Sequence, residues 1–319
     1  MSKAIITGGC GFLGTYLAGH LLEKGYIKRV VLVDNFHSEH TKELCLERVY
    51  RNVPKDRVTI EIADVGDTLK MMDIIQRHGH PKIFFHFAGV SRAVNSCYAD
   101  AVQSTSLMTA HLLECFSIMR YRPTRFIFSS STNVYGNYQK ADEDTPRNPV
   151  DVYGAIKSFG EDLTRAMCSK MGIPYTIIRP CTIYGGKDFN EHRFLNMCKV
   201  AACLTKSTIL PEITVNSGVK TDYIHIKDAV TAVAICSFHK SGENQVFNIG
   251  TGRSTSLVQI VNEIKKHKVI RYRVKHIDSW RPNKGILDIK KIKKLGFAPK
   301  IDIKDGIDCF INDRNWIIK

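Results

Sequence analysis

Tyr153 and Lys157 stand four residues apart in Tyr153-Gly154-Ala155-Ile156-Lys157. On a helix that spacing is one turn, so a phenol and an ammonium share a face. A free phenol titrates near pH ~10. A cation about 4 Å away, at an effective dielectric of about 20, is worth ~4 kcal/mol. That is enough to carry the phenol towards neutrality, where it becomes a competent general base. The pair alone is common by chance, so a second element decides. The run Phe128-Ser129-Ser130-Ser131-Thr132-Asn133-Val134-Tyr135-Gly136 closes a predicted strand. A serine there could hydrogen-bond both a substrate hydroxyl and the Tyr153 oxygen.

A third cluster lies at the start of the chain. Thr7-Gly8-Gly9-Cys10-Gly11-Phe12-Leu13-Gly14 follows the first predicted strand directly. Gly8 would make the tight turn, Gly11 would let the backbone approach a pyrophosphate, and Gly14 would let the helix pack close to the strand. The phosphates would then rest on the helix N-terminus. The context fits a dinucleotide site: strand before, helix after, and a second strand ending in Asp34, twenty residues past Gly14. Asp34 can accept bonds from ribose hydroxyls. Positions 35 to 41 hold no Arg or Lys to welcome a 2′-phosphate. The cofactor expected is NAD rather than NADP. Asp64, just past the third strand, either reaches the adenine edge or serves as a turn carboxylate.

These groups need a scaffold, and the first half of the chain supplies its pattern. Lys3–Thr7, Arg29–Val33, Val58–Ile62, Lys82–Phe87, Arg125–Ser129 and Pro174–Arg179 read as buried strands. Phe12–Gly25, Thr68–Arg77, Ala101–Met119 and Val152–Met171 read as helices. Continuous apolar strands alternating with helices mean a parallel sheet covered on both faces. The expected fold class is α/β, a doubly wound parallel (Rossmann) sheet, with substrate at its C-terminal edge. After Arg179 the rhythm breaks. Gln245–Ile249 reads as a strand, Leu257–Lys266 as a helix and Ile270–Val274 as a strand, all in a smaller α/β lobe. We divide the chain into an NAD-binding domain, 1–180, and a substrate lobe, 181–319, with segments near 222–235 returning to the main domain. Tyr138–Val150, with Asp142-Glu143-Asp144, Pro146 and Pro149, reads as a loop edging the site.

Composition excludes several classes. In 319 residues, 44% are hydrophobic and 24% charged, which is ordinary for a globular protein and rules out disorder or a coiled coil. No apolar run approaches the ~18 residues of a membrane span. The N-terminus enters a strand at once and lacks the apolar segment of a signal peptide, so the expected address is the cytosol. The ten cysteines include no C-x-x-C and many sit in apolar runs; buried thiols in a reduced compartment are expected, with no metal site. The net charge is +15, and the segment Lys265–Lys300, with thirteen Lys/Arg against Asp278 and Asp288, carries +11 of it. Such a block attracts anions, though a solvated lysine-rich surface accounts for most of it.

With these motifs the sequence resembles the extended short-chain dehydrogenase/reductase family, the nucleotide-sugar epimerases and dehydratases. The resemblance also runs through His86-Phe87-Ala88-Gly89, Ile178-Arg179-Pro180, Tyr184-Gly185, Asp222-Tyr223-Ile224-His225-Ile226-Lys227-Asp228, Phe247-Asn248-Ile249-Gly250-Thr251-Gly252 and Arg281-Pro282. The nearest likeness is to the 4-epimerase branch, those acting on UDP-galactose, whose fourth and fifth strands end in the same forms. The resemblance implies Ser131, Tyr153 and Lys157 as the catalytic triad. It places NAD against Gly8, Gly11, Phe12, Leu13, Gly14, Asp34, Asn35, Asp64, Val65, Phe87, Ala88, Gly89, Tyr153, Lys157, Arg179 and Pro180. It places a nucleotide-diphosphate sugar against Ser91, Arg92, Ser131, Thr132, Asn133, Tyr153, Thr182, Arg193, Lys220 and Arg281.

The chain departs from the family pattern at three places. The Asn that orients the catalytic lysine is replaced by Thr105 or Leu107, depending on alignment. Thr182 stands where an Asn would contact the diphosphate, and Thr221, beside Lys220, where an Arg precedes Asp222. The acid pair of the 4,6-dehydratases is replaced by Thr132 and Asn133, so dehydration is not expected. The reading is a 4-epimerase working through a transient 4-keto sugar. The same-site alternative is a 4-dehydrogenase or 4-ketoreductase. The alternative from another class is an RNA-binding member of the fold; no aromatic-rich basic strand supports it, and nucleic acid is not expected as a partner. The helices Ala101–Met119 and Val152–Met171 resemble the pair that forms a homodimer interface in the family, and core packing is the other reading of their apolar faces.

Overall fold

A computed structural model of the chain describes residues 2–37, 41–79, 81–89, 107–186, 212–216, 220–266, 271–275 and 284–312. Strands β1 (Lys3–Thr7), β2 (Arg29–Asp34), β3 (Val58–Ile62), β4 (Ile83–His86) and β5 (Arg125–Ser129) fall within a residue of the sequence pattern. So does β7 (Tyr175–Pro180). Short β-branched and aromatic runs, buried on both faces in all but the edge strand β3, make these the unambiguous elements. The helices between them are α1 (Phe12–Glu23), α2 (Lys42–Asn52), α3 (Thr68–Arg77), α4 (Met108–Ile118) and α5 (Val152–Met171). Together the strands form a parallel sheet with a crossover to each side of β1.

Two readings change. Gln245–Ile249 is not part of a separate lobe. As β12 it pairs in parallel with β7 and becomes the seventh strand, giving the order β12-β7-β5-β4-β1-β2-β3. The helix before it, α6 (Ile226–Phe238), packs on α1, β7 and β12, with Ala229, Val230 and Val233 buried. Tyr138–Val150 is not all loop either. Its first residues form β6 (Tyr138–Ala141), which pairs with β15 (Lys284–Leu287). The prolines and the acidic triplet lie beyond that strand, where a loop is still required.

The remaining pairs are β8 (Thr182–Tyr184) with β11 (Tyr223–His225), β9 (Glu212–Asn216) with β14 (Arg271–Lys275), and β10 (Lys220–Thr221) with β13 (Thr255–Ser256). Helices α7 (Leu257–Lys265), α8 (Lys290–Lys293) and α9 (Ile303–Asn312) complete the described chain. Alternate residues of each central strand face opposite layers. Ala4 and Ile6 join the core under α1 and α6, while Ile5 joins the one under α3 and α4. Among the described residues no helix is long and apolar enough to cross a membrane.

Candidate active site

The sheet's C-terminal edge gathers the sequence motifs. Gly8 closes β1 with φ of 65°, a conformation L side chains rarely adopt. A Cβ there would lie 2.8 Å from the Ala88 nitrogen. At Gly14 a Cβ would lie 2.5 Å from the Gly8 carbonyl, so the missing side chain lets α1 sit directly on the turn. No side chain caps α1: its N-cap is Gly11. Phe12 and Leu13 begin its first turn, half-buried. An uncapped helix start behind a glycine turn fits a pyrophosphate.

Asp34 ends β2 beside that turn. Its carboxylate accepts from the Cys10 N–H (3.0 Å) and the Phe36 N–H (3.0 Å). Burial pushes its pKa up, against those two donors and the charge of Arg48. Arg48 sits on α2, a helix that the hydrophobic pattern of the sequence does not announce. It lies 2% exposed on that helix, so it acts on Asp34 by its charge while offering no open cation to a phosphate. Asp64 accepts from the Asn35 side-chain amide (2.8 Å) and the Gly66 N–H (2.7 Å), which makes it a turn carboxylate in this arrangement. Val65 is 3% exposed and packs into the core, so only its backbone can face a cofactor.

The turn holding Phe87, Ala88 and Gly89 is tied back through a buried relay. His86 lies 2.8 Å from Thr7 Oγ1 through Nδ1 and 3.0 Å from Thr109 Oγ1 through Nε2. The Ala88 N–H points at Thr7 Oγ1 (3.4 Å). Burial, helped by the nearby Lys157 charge, pushes the His86 pKa down to about 3. His86 is therefore a neutral strut joining β1, β4 and α4. Of the two candidates for the missing lysine-orienting Asn, Leu107 is exposed at the start of α4 and Thr105 lies outside the described residues.

Lys157 instead donates to the Ser129 carbonyl at the end of β5 (2.8 Å). Its Nζ lies 5.8 Å from the centre of the Tyr153 ring and 5.5 Å from that of Phe128. The side chain is 5% exposed, and burial pushes its pKa down to about 8. One turn further, Glu161 accepts from the Ser130 hydroxyl (2.6 Å). Ser131 starts the next turn of chain and bonds to Asn133. Consecutive residues of the strand end are thus gripped by one face of α5, and the predicted serine, tyrosine and lysine share that junction.

Arg179 needs correction as a cofactor contact. Its guanidinium forms a fork with Glu161 (2.8 and 2.7 Å) and also donates to the Tyr135 hydroxyl (2.8 Å) and the Glu143 carbonyl (3.2 Å). It is 2% exposed. Burial opposes the Glu161 charge, yet the Arg179 bonds outweigh it and hold that carboxyl below its usual range. The Arg179 side chain belongs to the core, and Pro180 follows it, half-buried at the strand end. Thr132 is also turned inward, 1% exposed, and offers no open hydroxyl to a sugar. Thr182 begins β8, half-buried, and Lys220 is exposed on β10. Ser91, Arg92, Arg193 and Arg281 lie outside the described residues.

Residues 4–250 match the NAD-dependent epimerase/dehydratase family. The chain belongs to that family. A UDP-glucose 4-epimerase of Mus musculus is 26% identical over 300 residues, covering 86% of this chain and 85% of that protein. A UDP-glucose 4-epimerase of Thermotoga maritima, solved with UDP-glucose, is 26% identical with a TM-score of 0.82, covering 97% of both chains. A UDP-glucuronic acid 4-epimerase of Bacillus cereus, solved with UDP-glucuronic acid and NAD, superposes with a TM-score of 0.85, covering 97% of this chain and 98% of that one. At 22% identity that last likeness is one of fold. The family's dependence on NAD agrees with the glycine turn, the uncapped α1 and the Asp34 carboxylate. This is an NAD-dependent enzyme of the nucleotide-sugar epimerase family.

Proposed function

We propose that the chain is a nucleotide-sugar 4-epimerase acting through a transient 4-keto sugar. The observation that carries this reading is the junction of β5 and α5, where Tyr153, Lys157 and the Ser131 turn meet at the C-terminal edge of the sheet. Bound NAD supplies a hydride acceptor that returns what it takes, so no second substrate is consumed. Gly8, Gly11, Gly14 and Asp34 would hold it.

Tyr153 takes the proton of the sugar 4-hydroxyl and later gives it back. The Lys157 ammonium beside the ring stabilises the phenolate between these events. Burial raises that effect, since fewer waters screen the charge. Ser131 orients the hydroxyl that loses its proton. The positions where a dehydratase places its acid pair hold the inward-facing Thr132 and the internally bonded Asn133, which supports a reaction that keeps the sugar's oxygens. The UDP-sugars bound by the family's solved members make a UDP-sugar the substrate class to try. Leu107, Ile118 and Phe159, exposed on or beside α4 and α5, support a homodimer through those helices.

The test is direct. The purified protein is denatured and its released nucleotide identified, then the holoenzyme is incubated with UDP-glucose, UDP-galactose, UDP-glucuronic acid and UDP-arabinose. Release of NAD and formation of a 4-epimer without net NADH are expected. Stoichiometric NADH would make the enzyme a net oxidoreductase.

A further inference from the structure

Asp151 stands two residues before Tyr153. It is the N-cap of α5, and its Oδ1 accepts from the Gly154 N–H (2.6 Å). Its Oδ2 accepts from the Asn133 side-chain amide (2.7 Å). The two segments meet closely: a Cβ on Gly154 would lie 2.5 Å from the Asn133 carbonyl.

The donor and acceptor inventory then fixes a direction. An ionised carboxylate only accepts, so the Asn133 NH2 must face Asp151. Its Oδ1 is thereby turned to the other side, where Ser131 Oγ lies at 3.2 Å. A carbonyl oxygen only accepts, so the single Ser131 hydroxyl hydrogen points at Asn133. The Asn133 backbone N–H donates to the same Oγ (3.2 Å), which uses one of its lone pairs. One lone pair is left for the active site.

We infer that Asp151, acting through Asn133, is a positioning residue that makes Ser131 a one-way hydrogen-bond acceptor. Ser131 can receive a hydrogen from the Tyr153 phenol, but it has none to give. The relay runs from that phenol through Ser131 and Asn133 to the carboxylate, and it stabilises the state in which Tyr153 holds the proton taken from the sugar. This rests on the reading of Ser131 and Tyr153 as the reacting pair.

Asp151→Asn is the informative variant, because Asn caps a helix as well as Asp does. The new amide can donate to Asn133 Oδ1, which releases the Asn133 side chain to flip and frees the Ser131 hydrogen. With UDP-glucose as probe, kcat is expected to fall about tenfold, the worth of one well-placed hydrogen bond, with KM and melting temperature unchanged. In a Ser131→Ala background the same change should cost nothing further, since sites in one chain are not additive. Independently of turnover, the Asn133 side-chain amide resonance, assigned by its loss in Asn133→Ala, should shift in Asp151→Asn. Tyr153→Phe is the control on the reading itself: full turnover there removes the reacting pair and the inference with it. An inactive Tyr153→Phe with additive Asp151→Asn and Ser131→Ala losses, or an unmoved Asn133 resonance, overturns the relay alone.

Discussion

Lys157 and Gly14 are held on every side, whereas Lys220 stands exposed on a two-residue strand and Thr182 opens a three-residue one. The first pair belongs to the wall assigned to NAD and the proton transfer, the second to the wall assigned to the sugar nucleotide. One wall is made from the ends of the central parallel strands and a twenty-residue helix, α5. The other uses short pairs outside the sheet. The contrast teaches where change is tolerated. A shared reaction demands fixed atoms, and different sugars demand contacts that can be exchanged without disturbing a core.

The sharpest way to break this contrast is Tyr153→Phe. It removes one oxygen from the rigid wall and should lower kcat by about 10²–10⁴-fold, while bound NAD stays at wild-type content. Rate measurements on NAD-loaded protein with its turned-over sugar decide; a loss of only a few-fold would mean that the phenol is not the base.

A second test reads the cost of rigidity. Lys157 has its pKa lowered from 10.5 to about 8 by burial. Below the lowered value it is charged in both the folded and unfolded chain, and its burial weakens the fold. As pH rises from about 8 to 10.5 the folded chain gives up its proton first, so this penalty of about 3 kcal/mol fades. Lys157→Met should therefore melt higher than wild type at pH 7, with the gap closing at high pH, and yet be inactive. Wild-type turnover should decline as pH passes about 8. Melting curves from pH 6 to 10 that run parallel for the two proteins would show that the ammonium is not penalised.

The smallest effect is expected on the other wall. An exposed cation facing a phosphate contributes at most about 1 kcal/mol, so Lys220→Ala should raise KM by no more than about fivefold and leave NAD content alone. A far larger rise would show that the sugar wall is as firmly built as the NAD wall.

Most of the central sheet could be read before folding, because most of its strands are short runs rich in apolar residues. The missed helix α2 shows the limit. Its inward positions are Cys45, Arg48 and Val49, and a buried arginine does not look like a core residue in a list of letters. Arg179 misled for a different reason. The family resemblance carried it into the cofactor set, and only the fold brings Glu161 under it. β6 was hidden by its neighbours, since the acidic triplet and two prolines that follow it made the whole segment read as loop. Asn133 was legible as a site residue, but its partner Asp151 was not, because eighteen residues separate them. Patterns along the chain report local structure, and these contacts are set by topology.

The seventh strand bears on how the chain is made. β7 runs Tyr175–Pro180, and all but its last residue are buried against neighbours on both edges. One of those neighbours, β12, is not synthesised until residues 245–249. While the ribosome works through the interval, β7 has β5 on one side and nothing on the other, an apolar strand with open hydrogen-bonding groups. Such an edge is a template for wrong pairings between nascent chains. The nucleotide-binding half thus completes its sheet only when this late segment arrives.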